Sequence, residues 1–455
     1  MTRKPLLASL ALVAALAACV EDETLNPPTA NADLVDPLFA RYVAFGNSIT
    51  AGFESGGIND STQQESFAVL LAAQMGTEFN IPLLNKPGCP PPLVNIFTQE
   101  LVGNPGPLGC ALRHPTIPER LNLVAIPGAA VLDIYDPLGT GNRSNTLTSI
   151  MGGGRSQIEN AAETQPTFVT VWIGNNDALG AALNGSNPGD PALVTPTETF
   201  AARYGAMIDS IQAFGTVEGG VLMGAVQVAY APYFTAGLAW EQFEAGFDFK
   251  FDFTLDSIFQ SKFGAPLSIT ANIFDVATNC SATAAIPGGG TAYTMVPFPV
   301  GATTLATANA RSQDTAVVNA IFRVALGVPG ATLPTPTTLD CTDDKAILPA
   351  EVLNLFGAVT AYNATIEAAA EDLGWAFWDP NDLLAQLLGT AGAIFPFPAF
   401  PGVPGYPAGA TVNMPFGFAL SRDGIHPSAS TMELVADELI ALINATYETS
   451  IPARD

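Results

Sequence analysis

The chain has 455 residues, 48% of them apolar, enough to bury a large core in one elaborated domain or two intertwined ones. It carries 16 Lys plus Arg against 42 Asp plus Glu, a formal net charge of -26. Such a surface repels nucleic acid and anionic lipid headgroups, so nucleic acid is excluded as a partner. The charges are spread without a long single-sign run, which reads as a solvated face.

In chain order, Arg3 and Lys4 precede an apolar run from Pro5 to Ala18 that ends at Cys19. This is the n-region and h-region pattern of an export signal, and it is too short for a comfortable membrane span. Leu16-Ala17-Ala18-Cys19 resembles a bacterial lipobox. That resemblance implies a signal peptide over 1–18, cleavage before Cys19 and lipid on the new N-terminus. The chain is then an exported lipoprotein held by its anchor at the outer membrane, on the periplasmic or cell-surface side. Ordinary secretory cleavage at the Ala-rich stretch is the plainer alternative. An acidic, Pro-containing tether follows over 19–37 and leads into a domain over 38–450.

Tyr42 to Phe45 is a short apolar run that predicts a buried first strand ending at Gly46. Ser66 to Met75 has helical spacing, with Gly76 as the stop. Leu121 to Ile126 predicts a second strand, closed by Pro127-Gly128, and Phe168 to Ile173 a third, closed by Gly174. A helix over Thr197 to Phe214, a buried strand over Gly220 to Tyr230, a long helix over Val352 to Leu373, a strand over Trp375 to Trp378 and a final helix over Ser428 to Tyr447 complete the pattern. Two insertions interrupt it, at about 232–348 and 389–421. Strands alternating with helices predict an α/β class with a mostly parallel sheet. Sites in such sheets lie beyond the carboxyl ends of the strands, where the Gly-containing turns should converge.

Cys89, Cys110, Cys280 and Cys341 remain after Cys19. An even number in an exported chain predicts disulfides. Three pairings are possible, and Cys89–Cys110 with Cys280–Cys341 is the expected one. No C-x-x-C spacing occurs and the chain has 2 histidines, which argues against a structural zinc site.

That histidine shortage sharpens the search for chemistry. A serine nucleophile needs an imidazole to accept its proton. His114 lies in a Pro-rich loop beside Arg113, with no carboxylate close by, and reads as a surface or packing residue. His426 follows Asp423 by three residues in Asp423-Gly424-Ile425-His426-Pro427, so the carboxylate can reach the ring across a tight turn and hold its tautomer. A helix-entry cap is the structural alternative for Asp423. Ser48 lies between small residues in Gly46-Asn47-Ser48-Ile49-Thr50-Ala51-Gly52, just after a buried strand. Gly128 and Asn176 sit at two further strand ends. There a backbone N–H and a side-chain amide could donate to an oxyanion; a turn glycine and an Asx-turn asparagine are the plain readings.

Together these pieces resemble the SGNH/GDSL-like hydrolase family, in family order. The first block resembles Gly46 to Gly52, the second Asn122 to Ala129, the third Gly174-Asn175-Asn176-Asp177 and the last Asp423 to His426. Asn47 stands where the family's first block has aspartate. The resemblance implies a three-layer α/β/α sandwich of flavodoxin-like type, no metal and no cofactor. It implies a serine esterase or lipase acting on a small-molecule, lipid or glycan ester. Ser48, His426 and Asp423 would form the triad. The Ser48 N–H, the Gly128 N–H and the Asn176 amide would form the oxyanion hole. A surface lipoprotein that binds glycan or lipid on the same scaffold without turnover is the competing reading. Within the first insertion, Trp240, Phe243, Phe247, Phe249, Phe251, Phe253 and Phe259 crowd a short stretch, and from Phe247 to Phe253 they alternate with charged residues as a strand with one apolar face. Core packing is the plain expectation for them; an apolar lid over an acyl-chain pocket is the sharper one.

Overall fold

Four short apolar runs form the central sheet of the computed structural model, which describes residues 35–105, 118, 120–244, 273–342, 344–395, 397–398, 400 and 409–454. They are β1 (Tyr42–Gly46), β2 (Phe168–Trp172), β3 (Gly219–Met223) and β4 (Ala376–Trp378), side by side in that order and all parallel. Every residue of β1, β2 and β3 is buried, which is why they read as continuous rather than alternating apolar runs. The register sets Gly46 beside Trp172, Trp172 beside Met223 and Met223 beside Trp378, so the four strands end on one rim. The class is α/β.

Two expected strands are shorter than their sequences suggest. Residues 121–126 run along the free edge of β1, but only Ala44 and Leu123 form a bridge. The Asn122 side chain replaces the next rung, its Nδ2 donating to the Tyr42 carbonyl at 2.7 Å while its Oδ1 accepts from Asn80 N–H at 2.9 Å. The stretch expected as one strand over Gly220 to Tyr230 leaves the sheet at Met223. Side chains draw it away: Ala225, Val226 and Gln227 N–H donate to the amide oxygens of Asn363, Asn175 and Asn381. Residues Val228–Tyr230 then form a 3-10 turn.

The helices used below are α1 (Ser48–Ala51), α2 (Phe67–Met75), α3 (Asn175–Ala182), α4 (Thr197–Gln212), α5 (Pro349–Leu373), α6 (Pro380–Leu388) and α7 (Ala429–Tyr447). Ser66 caps α2 by accepting Ala68 N–H, and Ser428 caps α7 by accepting Thr431 N–H, contacts worth about 1 kcal/mol each. Helix α2 packs on α7, and α4 on α5. Phe67 of α2 and Tyr447 of α7 meet Trp172 and Phe168 of β2 edge to face, while Phe200 of α4 stacks on Tyr362 of α5 at 3.9 Å. Two polar turns of the sequence are helix starts instead: α1 begins at Ser48 and α3 at Asn175.

The two insertions share a second apolar core. Trp240 and Phe243 are buried against Phe397 of the other insertion, with ring centroids 4.7 and 4.9 Å away, and Trp240 also meets Phe400. For these two aromatics the plain packing expectation holds. Phe247, Phe249, Phe251, Phe253 and Phe259 lie outside the described residues, as do Cys19, the rest of 1–34, Cys110 and His114. Cys280 and Cys341 are bonded to each other, as expected, at a sequence separation of 61. Cys89 is disulfide-bonded as well.

Candidate active site

Ser48 owes its position to the end of β1. A Cβ on Gly46 would lie 2.3 Å from Thr50 Oγ1 and 2.7 Å from the Trp172 carbonyl oxygen, so only glycine allows the chain to turn there against β2. Gln157 clamps the same residue, its Oε1 accepting Gly46 N–H at 3.0 Å and its Nε2 donating to Gly46 O at 2.8 Å. Asn47 caps α1: its Oδ1 accepts Ile49 N–H at 3.1 Å. The amide oxygen thus fills the acceptor role a carboxylate could fill at this position. Its Nδ2 is buried without a partner among the described residues. Ser48 itself is buried, with 9% of its surface exposed.

His426 arrives from the turn before α7. Its Nδ1 lies 2.8 Å from Asp423 Oδ2 and its Nε2 2.9 Å from Ser48 Oγ, joining residues 378 apart in sequence. The carboxylate can only accept, which assigns the proton to Nδ1 and leaves Nε2 to accept from the serine hydroxyl. The Phe53 ring packs against the imidazole at 4.9 Å. Asp423 is enclosed by donors. Its Oδ1 accepts from Ser421 Oγ at 3.0 Å and from Ile425 and His426 N–H at 2.9 Å each; its Oδ2 also accepts Gly56 N–H at 2.6 Å. Burial pushes the carboxyl up, but the charge of the His426 ring when protonated and the hydrogen bonds from that ring and from His426 and Ile425 N–H outweigh it and hold Asp423 down at about 2. The neighbouring Glu54 goes the other way. Burial, then the charges of Glu65 and Asp423, push it up to about 7.

Gly128 and Asn176 meet on the same rim. The turn carrying Gly128 is tied to the end of β1 by Ile126 N–H donating to Gly46 O at 3.2 Å. Gly128 has φ of 86°, and a Cβ there would lie 2.8 Å from Asn145 Nδ2, which donates to the Pro127 carbonyl. Asn176, in the first turn of α3, donates one amide hydrogen to Ala129 O at 2.9 Å, which leaves its second hydrogen free of that bond. Asp177 pins the helix start, accepting Thr195 Oγ1–H at 2.9 Å and Val131 N–H at 3.0 Å; burial pushes its carboxyl up.

An apolar cavity of about 100 Å³ is lined by sequence neighbours of these residues, though by none of Ser48, Gly128, Asn176 or His426 themselves. Each arm of the site supplies a neighbour to its wall: Ile49 next to Ser48, Asn175 next to Asn176, Ile425 and Pro427 on either side of His426. Trp172 and Trp378 at the sheet rim and Leu383, Leu384 and Leu387 of α6 are among its other apolar walls, with Ile394 and Leu420 from the second insertion. No described residue of 232–348 lines it.

Sequence reasoning missed Ser421, Ser55, Gly56 and Gln157 as supports of the site. Ser421 stands two residues before Asp423, a spacing that points to it; Ser55 and Gly56 lie 366 and 367 residues from the side chains they bond and Gln157 lies 111 from Gly46, and none of the three carries a motif.

No family model and no curated protein matches the chain. Among solved structures, an extracellular lipase from Streptomyces rimosus is 13% identical, with 89% of this chain and 98% of that one covered and a TM-score of 0.33. A likeness that distant carries no inference about this chain.

Proposed function

We propose that this protein is a serine esterase of the SGNH type, on an α/β/α sandwich, that hydrolyses carboxylic esters through an acyl-Ser48 intermediate. The observation that carries this reading is the imidazole of His426 bridging Ser48 Oγ at 2.9 Å and Asp423 Oδ2 at 2.8 Å. In the first step Ser48 Oγ bonds to the ester carbonyl carbon as its proton moves to His426 Nε2. Asp423 stabilises the imidazolium and stays ionised. The tetrahedral intermediate collapses when His426 returns the proton to the leaving alcohol and the C–O bond breaks. Water then repeats the sequence: its oxygen bonds to the acyl carbon as His426 Nε2 takes its proton, and His426 returns that proton to Ser48 Oγ as the acyl–Ser48 bond breaks and the carboxylic acid leaves.

The developing oxyanion needs fixed donors. The N–H groups of Ser48 and Gly128 and the second Asn176 amide hydrogen are assigned that role. One side-chain donor of this kind is worth about 3 kcal/mol. Asn176→Ala is therefore expected to lower kcat about 100-fold or more with little change in KM. A change confined to KM in steady-state kinetics would remove Asn176 from the oxyanion hole.

The apolar cavity supports an acyl group as its occupant. At about 100 Å³ it is smaller than the ~150 Å³ engineered cavity that accepts benzene, and suits a chain of about four carbons. Each methylene buried adds about 0.8 kcal/mol, or about fourfold. On p-nitrophenyl esters, kcat/KM is expected to climb from acetate to butyrate and then level off. Leu384→Phe should flatten that climb and spare acetate. Activity confined to acetate in the wild type would separate the cavity from catalysis and favour a deacetylase. A binding protein without turnover would hydrolyse none of the series.

A further inference from the structure

Two serines from distant parts of the chain meet behind Asp423. Ser421 Oγ lies 2.9 Å from Ser55 N and 3.0 Å from Asp423 Oδ1. A backbone N–H can only donate, so the Ser421 oxygen accepts from Ser55 and its single proton is committed to the carboxylate. The same contact is doubled and braced. Ser55 Oγ accepts Arg422 N–H at 3.2 Å, Gly56 N–H donates to Asp423 Oδ2 at 2.6 Å, and Ser421 N–H donates to His426 O at 2.9 Å. Ser421 is 4% exposed, so water does not compete for that proton. Its direction is fixed by the 53–57 segment and not by the hydroxyl's own rotation.

From this geometry we propose that Ser421 is a positioning residue that sets the basicity of the Asp423–His426 pair by drawing on the carboxylate's charge. A hydroxyl bonded to Oδ1 neutralises part of the negative charge that Oδ2 offers to His426 Nδ1–H. Without it, the carboxylate holds the imidazolium more strongly and the ring keeps its proton to higher pH. The other charged and titratable groups facing the pair are Glu54, Arg422 and, from the first insertion, Tyr233. None of them is altered in a Ser421 variant, so the difference from wild type reports the hydroxyl.

The kinetic arm of the test rests on the esterase reading; a spectroscopic arm does not. With 2 histidines in the chain, two imidazole Hε1 resonances are expected, and His114→Gln assigns them. In Ser421→Ala the midpoint of the His426 Hε1 titration should move up by about 0.5 pH, and the acid limb of kcat/KM should move with it. Ser421→Thr, which keeps a hydroxyl, should return both toward wild type. Ser55→Gly loosens the same junction while leaving Ser421 Oγ in place, and its Hε1 midpoint should stay at the wild-type position even where its thermal midpoint drops. An unmoved or lowered midpoint in Ser421→Ala, or an equal displacement in Ser55→Gly, overturns the proposal. Failure of the wild type to hydrolyse esters would instead count against the esterase reading, and the Hε1 titrations would still decide the role of Ser421.

Discussion

Ser48→Ala is expected to lower kcat by about a million-fold. Without Oγ no acyl-enzyme forms, and His426 has no hydroxyl proton to accept. The rate left over is what binding and oxyanion donors supply alone, about a thousandfold or more above water. The fold should be indifferent to the change. Ser48 sits in a four-residue helix whose cap is Asn47, and both the Asn47–Ile49 bond and the backbone of α1 survive an alanine. Thermal midpoint and KM should therefore stay near wild type while turnover disappears. Turnover within tenfold of wild type in Ser48→Ala would move the nucleophile elsewhere.

Asp423→Asn should cost about 10,000-fold in kcat, and here the surroundings explain why an isosteric change is so damaging. Five hydrogens point at the carboxylate: three at Oδ1 and two at Oδ2. An NH₂ at the Oδ1 position faces Ser421 and two backbone amides that also donate. An NH₂ at the Oδ2 position faces Gly56 N–H and forces the imidazole to carry its proton on Nε2, where it cannot accept from Ser48. Either orientation leaves buried donors unpaired. Stability should change as well, with a sign fixed by the direction of the Asp423 shift. Its carboxyl is held below the usual 3.8, at about 2, so its ionised form contributes stability that is complete above pH ~4 and is lost as pH falls toward 2. The drop amounts to about 2 kcal/mol. Urea midpoints measured from pH 6 to 2 should fall more steeply in wild type than in Asp423→Asn. Parallel curves would mean that Asp423 is not held ionised by the fold.

The parts of the molecule that announce themselves in the sequence are those where local chemistry and global placement agree. Buried parallel strands must be apolar on both faces, so Tyr42–Gly46 and Phe168–Trp172 stand out as runs. Small residues directly after them mark the turns at Ser48 and Asn176. The scarcity of histidine leaves His426 as the base by elimination of His114. What stayed hidden depends on side chains standing in for backbone. Asn122 takes over a rung of the sheet, and Asn363, Asn175 and Asn381 pull 225–227 out of it. Apolar patterning cannot register such substitutions. The supports of Asp423 are hidden for a different reason: Ser55 and Gly56 act through contacts 366 and 367 residues away in sequence, and no spacing rule connects them to Ser421 and Asp423.

Activation of Ser48 Oγ by His426 should make this serine a site of covalent labelling. A fluorophosphonate should add once per molecule, and peptide mass spectrometry should place the adduct on Ser48. The adduct should vanish in Ser48→Ala and form far more slowly in His426→Gln. An unlabelled wild type, or an adduct on another residue that persists in Ser48→Ala, would show that Ser48 is not the activated nucleophile.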